Sequence, residues 1–187
     1  TEKGLLKPGQ TVVEASSGSF AVALAIACAH SRHPLILCMP ANVPTVRQRM
    51  FTKLGAKIAL TNHIYGRKGL EKRAQEAVER TGGYFVNYFA NDLNPEFHRR
   101  VTGPNIARAT GGALDAIVAG VGSGGTITGV GEYIKAWYPD VRMIAVEPFE
   151  CQAIGGGFLG AHSIPGLGAG FVPEILNTKI YDEIITV

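Results

Sequence analysis

Residues 116–129 read AIVAGVGSGGTITG, an apolar β-branched run that leads directly into a cluster of small residues. The run is typical of a buried parallel strand, and the glycines predict a sharp turn from which the next helix begins. Backbone N–H groups at such a turn point outward without a partner, and the helix dipole adds partial positive charge. The turn therefore predicts a phosphate site, to which Ser123 and Thr126 can add hydroxyl donors. A turn without any ligand is the alternative, and five consecutive small residues favour the phosphate.

The same loop also fits a dinucleotide site. Gly120, Gly122 and Gly125 satisfy the pattern G-x-G-x-x-G. Glu147 ends the next predicted strand, at about the separation where such a site places an acid for the ribose hydroxyls. Fingerprints of this kind more often lie near the start of a domain than past its middle. From the residues alone, a nicotinamide or flavin dinucleotide remains the second hypothesis.

A second strand-to-helix junction lies at residues 14–21, which read EASSGSFA. The three serines and the glycine provide hydroxyls and helix N-terminal amides, which suit a small carboxylate. Ordinary N-capping of the helix explains the serines equally well. Two anion-receptive loops in one chain favour a substrate that carries a carboxylate and a cofactor that carries a phosphate.

Around these loops, short β-branched runs alternate with longer alanine-rich or charged segments, which predicts βαβ units and an α/β fold with parallel sheets. The helix at 20–29 is apolar on every side, which predicts that it is buried between layers. The turn-rich residues 91–95 predict a boundary between two lobes, 1–91 and 92–187. The predicted strands are 11–15, 34–39, 57–61, 84–88, 116–121, 143–147 and 184–187, and the predicted helices are 19–31, 43–54, 67–80, 98–109 and 125–137.

Composition narrows the class of protein. A chain of 187 residues with 46% apolar content can bury one sizeable core or parts of two smaller ones. The formal charge of +3 is spread along the chain, so a nucleic-acid partner is not expected. Fully apolar runs of about 18 residues and a secretion signal are both absent, which predicts a cytoplasmic protein without membrane insertion.

The cysteines and the chain ends carry two further expectations. Cys28, Cys38 and Cys151 form an odd set without C-x-x-C spacing, so buried thiols in a reducing compartment are expected, and no metal site. The chain opens at Thr1 rather than at methionine, and it closes on an apolar run that reads as a strand. Both ends are therefore expected to be cut.

Further segments follow one another in a fixed order: GLLKPG at 4–9 with VVE at 12–14, NPEFH at 94–98, TGP at 102–104, VAGVGSGGTITGVG at 118–131, AVEP at 145–148 and GLGAGF at 166–171. Together they resemble the signatures of the cysteine synthase and cystathionine β-synthase family of pyridoxal phosphate (PLP) enzymes. That family has the same glycine loop and Glu-Pro strand end without binding NAD. The resemblance therefore decides against the dinucleotide hypothesis.

The resemblance implies the second PLP-enzyme fold type, which is similar to the tryptophan synthase β-subunit, here incomplete. It consists of two α/β lobes with the cofactor between them, usually as a homodimer. By carry-over, the PLP contacts are Ser19, Gly122, Ser123, Gly124, Gly125 and Thr126. The implied substrate contacts are Ser16, Ser17, Gly18, Phe20, Tyr88, which stands where the family usually has glutamine, and the active-site mouth residues Gly166 and Gly168.

The resemblance also implies chemistry at the β-carbon of a small amino acid, with cysteine synthesis from O-acetylserine and sulfide as the leading activity. A thiol could replace sulfide as the second partner. The family's cofactor-bearing lysine precedes the segment that matches 4–9, and the group facing the pyridine nitrogen follows Val187. No catalytic residue is therefore expected within this chain, which would bind part of the cofactor without turnover.

The serine loop departs from the family pattern T-S-G-N-T-G. Ser19, Phe20 and Ala21 replace its asparagine, second threonine and last glycine. A buried carboxylate that loses one donor is weakened by about 1–3 kcal/mol, and the O–H of Tyr88 could replace that donor. A correlated change of this kind favours a changed substrate. Cysteine desulfhydrase-type β-elimination and a catalytically silent paralogue with a binding role stay open as alternatives.

Overall fold

Two parallel β-sheets organise the chain in a computed structural model, which describes residues 4–187. The predicted α/β class with parallel sheets is confirmed. The chain packs as two units, the first ending at Asn87 and the second spanning Tyr88–Val187. In order, the elements are β1 (Val12–Ala15), α1 (Ser19–Ser31), β2 (Leu35–Pro40), α2 (Thr45–Lys53), β3 (Ala56–Thr61), a 3-10 turn (His63–Tyr65), α3 (Gly66–Thr81), β4 (Tyr84–Phe85), α4 (Leu93–Phe97), a π-helical turn (His98–Thr102), α5 (Gly103–Thr110), β5 (Ala116–Gly120), α6 (Gly125–Trp137), β6 (Arg142–Glu147) and β7 (Glu183–Thr186).

The first unit contains a sheet of strand order β3-β2-β1-β4, in which every pair is parallel. The central β2 is a continuous apolar run and is buried from Leu35 to Met39, as expected for a parallel strand covered on both faces. α1 packs onto the core through Ala21, Ala25 and Cys28, whose spacing places them on one helix face. This packing fixes the helix directly after the serine loop.

One face of α1 is exposed, so the prediction that this helix is buried on every side is wrong. Its apolar composition predicted burial all round, but Ile26 on the other face is 55% exposed. The reason is geometric, because a sheet covers only one stripe of a helix that lies on it. Composition alone therefore did not identify which layers cover this helix.

The second unit contains a sheet of strand order β5-β6-β7, again parallel. α6 packs onto it through Ile127, Val130 and Ile134, which meet Met143 and Ala145 of the central strand β6. β5 was predicted to be a buried strand, and this is wrong for the described chain. It lies at the edge of the sheet, with Val118 62% exposed.

The connection between the units also differs from the prediction. β4 is only two residues long, because Asn87 adopts a left-handed conformation with φ +46° and turns the chain out of the sheet. Residues 91–95 do not form a simple loop, since α4 begins inside them. Asn91 Oδ1 accepts a hydrogen bond from the Leu93 N–H at 3.0 Å. Pro95 falls in the first turn, where no backbone N–H is needed.

Residues 4–187 contain neither a membrane-spanning helix nor a cluster of metal-ligand side chains. No helix there is long and apolar enough to cross a membrane. No three His, Cys, Asp or Glu side chains come together in a way that could hold a metal ion.

The three cysteines are buried, and none is in a disulfide. Burial raises the pKa of the Cys28 thiol, and it also raises the pKa of Cys38 to about 11, against a smaller lowering by the Arg73 guanidinium. We expect the folded protein to react with Ellman's reagent at pH 8 about 100-fold more slowly than the protein in urea. The reason is that the structure must open locally before a buried thiol can ionise and meet the reagent. Stopped-flow absorbance checks this. A fast phase from Cys38 in the folded protein would contradict the burial.

Candidate functional site

The glycine loop lies in the second unit, between the end of β5 at Gly120 and the start of α6 at Gly125. In the described part of the chain, the backbone N–H groups of Gly122, Gly124 and Thr126 have no carbonyl partner. They stand at the positive end of a helix of 13 residues. This arrangement suits an anion, as the sequence predicted, while the individual contacts to a phosphate stay a prediction.

Neighbouring segments leave no room for side chains at the glycines of this loop. A Cβ on Gly122 would lie 2.1 Å from the Gly166 carbonyl oxygen, and a Cβ on Gly125 would lie 2.0 Å from Asn94 Oδ1. Gly124 has φ +82°, a left-handed conformation that L side chains rarely adopt. The glycines are therefore required by close packing and backbone shape.

The segment around Gly166 and Gly168 lies against this loop. The Gly168 N–H donates to the Val121 carbonyl at 3.0 Å, and the Gly168 carbonyl lies 2.9 Å from His162 Nε2. The structure thus brings two predicted substrate-side residues next to the predicted phosphate turn. Their contact with a substrate stays a prediction.

Tyr88 begins the second unit and stacks on Phe89, with ring centroids 4.1 Å apart. Phe89 in turn meets Phe171 edge to face at 4.9 Å. The Tyr88 carbonyl also accepts from Asn94 Nδ2 at 3.5 Å. An aromatic cluster therefore holds Tyr88, and its predicted role toward the substrate remains untested.

Sequence reasoning assigned no role to two residues beside the loop hydroxyls. Asn94 Nδ2 lies 3.0 Å from Ser123 Oγ, and His98 Nε2 lies 3.3 Å from Thr126 Oγ1. Burial lowers the pKa of His98, which favours the neutral ring. Asn94 and His98 are four residues apart, which suits one helix face, but residues 91–95 were predicted as a boundary between lobes, so the spacing gave no signal.

Glu147 does not serve the role that the dinucleotide hypothesis gave it. It is 2% exposed, and its two carboxylate oxygens accept from the Ile154 N–H at 3.0 Å and the Gly155 N–H at 2.9 Å. Both oxygens are thus used to hold the segment that follows β6. Neither oxygen of Glu147 is therefore left to bind a ribose, which agrees with the rejection of the dinucleotide hypothesis.

The serine loop belongs to the first unit. Gly18 is the N-cap of α1 and makes no side-chain cap, while Ser16 Oγ accepts from the Gly18 N–H at 3.4 Å. Arg47 Nη1 donates to the Ser17 carbonyl at 3.3 Å, which brings a cation close to the loop. N-capping therefore does not account for Ser17 or Ser19. Phe20 is half-buried in the first turn of the helix, and the carboxylate site stays a prediction.

Comparison with known proteins decides the family. The sequence profile described as pyridoxal-phosphate dependent enzyme matches residues 1–187. The chain belongs to this family. A curated cysteine synthase of Staphylococcus aureus is 40% identical over 186 residues, which are 99% of this chain and 60% of the relative. The chain thus spans about 60% of the length of the curated relatives it matches.

Solved structures in the family share the fold. An O-ureido-L-serine synthase superposes with a TM-score of 0.94 at 35% identity, covering 99% of this chain and 59% of that one. A hydrogen sulfide-producing enzyme of Fusobacterium nucleatum superposes with a TM-score of 0.92 at 30% identity, covering 100% of this chain and 57% of that one. The predicted family, the second PLP-enzyme fold type and the PLP cofactor are confirmed.

The glycine loop fits the family's cofactor. Close approaches exclude side chains at Gly122 and Gly125, while three amides of the turn have no carbonyl partner within residues 4–187 and two hydroxyls lie in the same turn. Such a donor set, at the N-terminus of a helix, is the chemistry that a phosphate group requires.

Proposed function

We propose that the whole protein forms cysteine from O-acetylserine, or a related activated serine, and sulfide, with PLP as cofactor. The observation that carries the proposal is the turn after β5, where unpaired amides and the hydroxyls of Ser123 and Thr126 gather at the start of α6. The likeness to the curated cysteine synthase supports the choice of reaction.

Each site residue has a proposed role. Gly122, Ser123, Gly124, Gly125 and Thr126 bind the phosphate, and Ser19 contacts the cofactor ring oxygen. When bound, PLP supplies an electron sink for negative charge that develops at the substrate's α-carbon. The family's lysine is proposed to lie upstream of Thr1. The proposed substrate contacts are Ser16, Ser17, Gly18, Phe20, Tyr88, Gly166 and Gly168.

The larger organisation is also proposed from the family. We place the substrate loop in a lobe at 1–91 and the phosphate loop in a lobe at 92–187. A cytoplasmic homodimer is proposed for the whole protein.

A second candidate function is β-elimination from cysteine, which releases sulfide. The loop changes at Ser19 and Phe20 favour it, because the asparagine and threonine of the usual pattern are missing there. A hydrogen sulfide-producing relative has the same fold over this chain.

The full-length protein, purified with PLP, separates these functions. We expect bound PLP to give a visible absorbance band that shifts when O-acetylserine is added. We expect cysteine formation with sulfide to exceed sulfide release from cysteine by about 10-fold or more in kcat/KM. Amino-acid analysis and a sulfide assay measure the two rates. The reverse ranking would support the second candidate, and a colourless protein that responds to neither substrate would support a silent paralogue.

A further inference from the structure

The segment formed by α4 and the following π-helical turn packs directly behind the glycine loop. It meets the glycine face of α6, since a Cβ on Gly125 would lie 2.0 Å from Asn94 Oδ1 and one on Gly129 would lie 2.1 Å from the Pro95 carbonyl oxygen. Gly125 and Gly129 are four residues apart, as are Asn94 and His98. The two helix faces therefore approach closely, because the α6 face has only glycines at these positions. This close approach brings the side chains of Asn94 and His98 to the loop.

The Ser123 hydroxyl has one hydrogen and two lone pairs. Its oxygen accepts from Asn94 Nδ2 at 3.0 Å and from the Gly125 N–H at 3.4 Å. The Asn94 amide nitrogen also faces the Tyr88 carbonyl at 3.5 Å, and a carbonyl only accepts, so this contact fixes which end of the amide faces Ser123. Both lone pairs of the hydroxyl are then engaged, and its hydrogen is left to donate to a ligand.

The Thr126 hydroxyl is held in the same manner from one turn further along. His98 Nε2 lies 3.3 Å from Thr126 Oγ1, and His98 Nδ1 lies 2.9 Å from Thr102 Oγ1. A neutral ring carries one N–H. When an anion accepts the hydrogen of the Thr126 hydroxyl, the single ring hydrogen of His98 must be on Nε2. Nδ1 then accepts from the Thr102 hydroxyl. The ring then donates to Thr126 and leaves the threonine hydrogen for the anion.

The segment is anchored so that these contacts keep their geometry. Arg99, next to His98, donates from Nε to Glu132 Oε2 at 2.8 Å. The other oxygen of Glu132 accepts from Asn177 Nδ2 at 2.9 Å. Because Glu132 lies on α6, the ion pair ties the π-helical turn to the helix that begins at the loop. Such turns occur often at functional sites.

We propose that Asn94 and His98 are positioning residues that orient the Ser123 and Thr126 hydroxyls so that both donate to the cofactor phosphate. This rests on the proposed function for the identity of the ligand. The hydroxyls would otherwise rotate freely between several acceptors, and a preoriented donor binds an anion more tightly than one that must first be reoriented.

The test compares PLP with pyridoxal, which lacks the phosphate, in the full-length protein. The ratio of the pyridoxal Kd to the PLP Kd, from absorbance titrations, isolates the phosphate contacts. We expect Asn94→Leu and His98→Leu each to lower this ratio about 10-fold, the loss of one hydrogen bond to a charged group. His98→Gln should restore most of the ratio, because its amide nitrogen can donate from the position of Nε2. In a Ser123→Ala background, Asn94→Leu should have no further effect.

Thermal melting separates positioning from folding. Asn94→Asp keeps the shape of asparagine but offers only acceptors, so it should lower the ratio more in the wild-type background than in the Ser123→Ala background, where only its added charge acts, even if Asn94→Leu does not fold. Variants with the wild-type Tm and the wild-type ratio would overturn the inference and leave the proposed function standing. A wild-type protein that binds PLP no more tightly than pyridoxal would overturn both.

Discussion

Gly122→Ala is expected to weaken PLP binding by about 100-fold or more. The new Cβ would lie 2.1 Å from the Gly166 carbonyl oxygen, and real Cβ contacts essentially never fall under 3.0 Å. The obstacle is backbone, so it cannot rotate away, and the loop must shift by about 1 Å. Misplacement on this scale can cost about 100-fold in a preorganised site. Absorbance titration of the full-length protein with PLP measures the effect.

Gly111→Asn is the matched control for that variant. Gly111 lies in the same unit, has φ +62° and has nothing within 4 Å of an added Cβ. Asparagine tolerates this left-handed conformation at the end of a helix, so PLP binding should be unchanged. If Gly122→Ala also bound PLP with wild-type affinity, the turn after β5 would not be the phosphate site.

Glu147→Gln is expected to lower the free energy of unfolding by about 2–3 kcal/mol. The buried carboxylate is replaced by an amide whose NH2 group faces a backbone N–H that the carboxylate oxygen had accepted. The carboxylate accepts from Ile154 and Gly155, and it is 2% exposed. We also expect weaker PLP binding, since the segment it holds continues to Gly166, beside the proposed phosphate turn. Urea denaturation followed by circular dichroism gives the stability change.

Glu150→Gln is the control for this second variant, because it removes the same charge from an exposed side chain three residues away. We expect it to change the free energy of unfolding by less than about 0.5 kcal/mol. Equal effects from both substitutions would show that charge alone, rather than the two amide contacts of Glu147, accounts for the loss.

Local signals predicted the regular elements well. α1 and α6 begin and end at the predicted residues, because each follows a glycine-containing turn and stops where the backbone leaves the helical region, at Arg32 and Tyr138. Burial was less predictable. The exposed faces of α1 and β5 depend on which distant segments cover them, and an apolar run reads the same at an edge as in the centre of a sheet.

The candidate site was likewise predictable from the sequence only in part. The glycine loop was visible in the sequence because its constraint is local, arising from backbone shape and a helix start. The contacts of Asn94 and His98 to the loop hydroxyls span 29 and 28 residues, so no short pattern reveals them. Glu147 shows the converse difficulty, because an acid at a strand end can face a ligand or a pair of amides, and only the fold distinguishes the two.

The edge position of β5 has a practical consequence for handling this polypeptide. Val118 stands out from a strand that, within residues 4–187, is paired on one side only. An uncharged strand margin of this kind can recruit further strands from other molecules. Preparations at high concentration should therefore aggregate through this margin, and Val118→Lys is the substitution that would keep them dispersed.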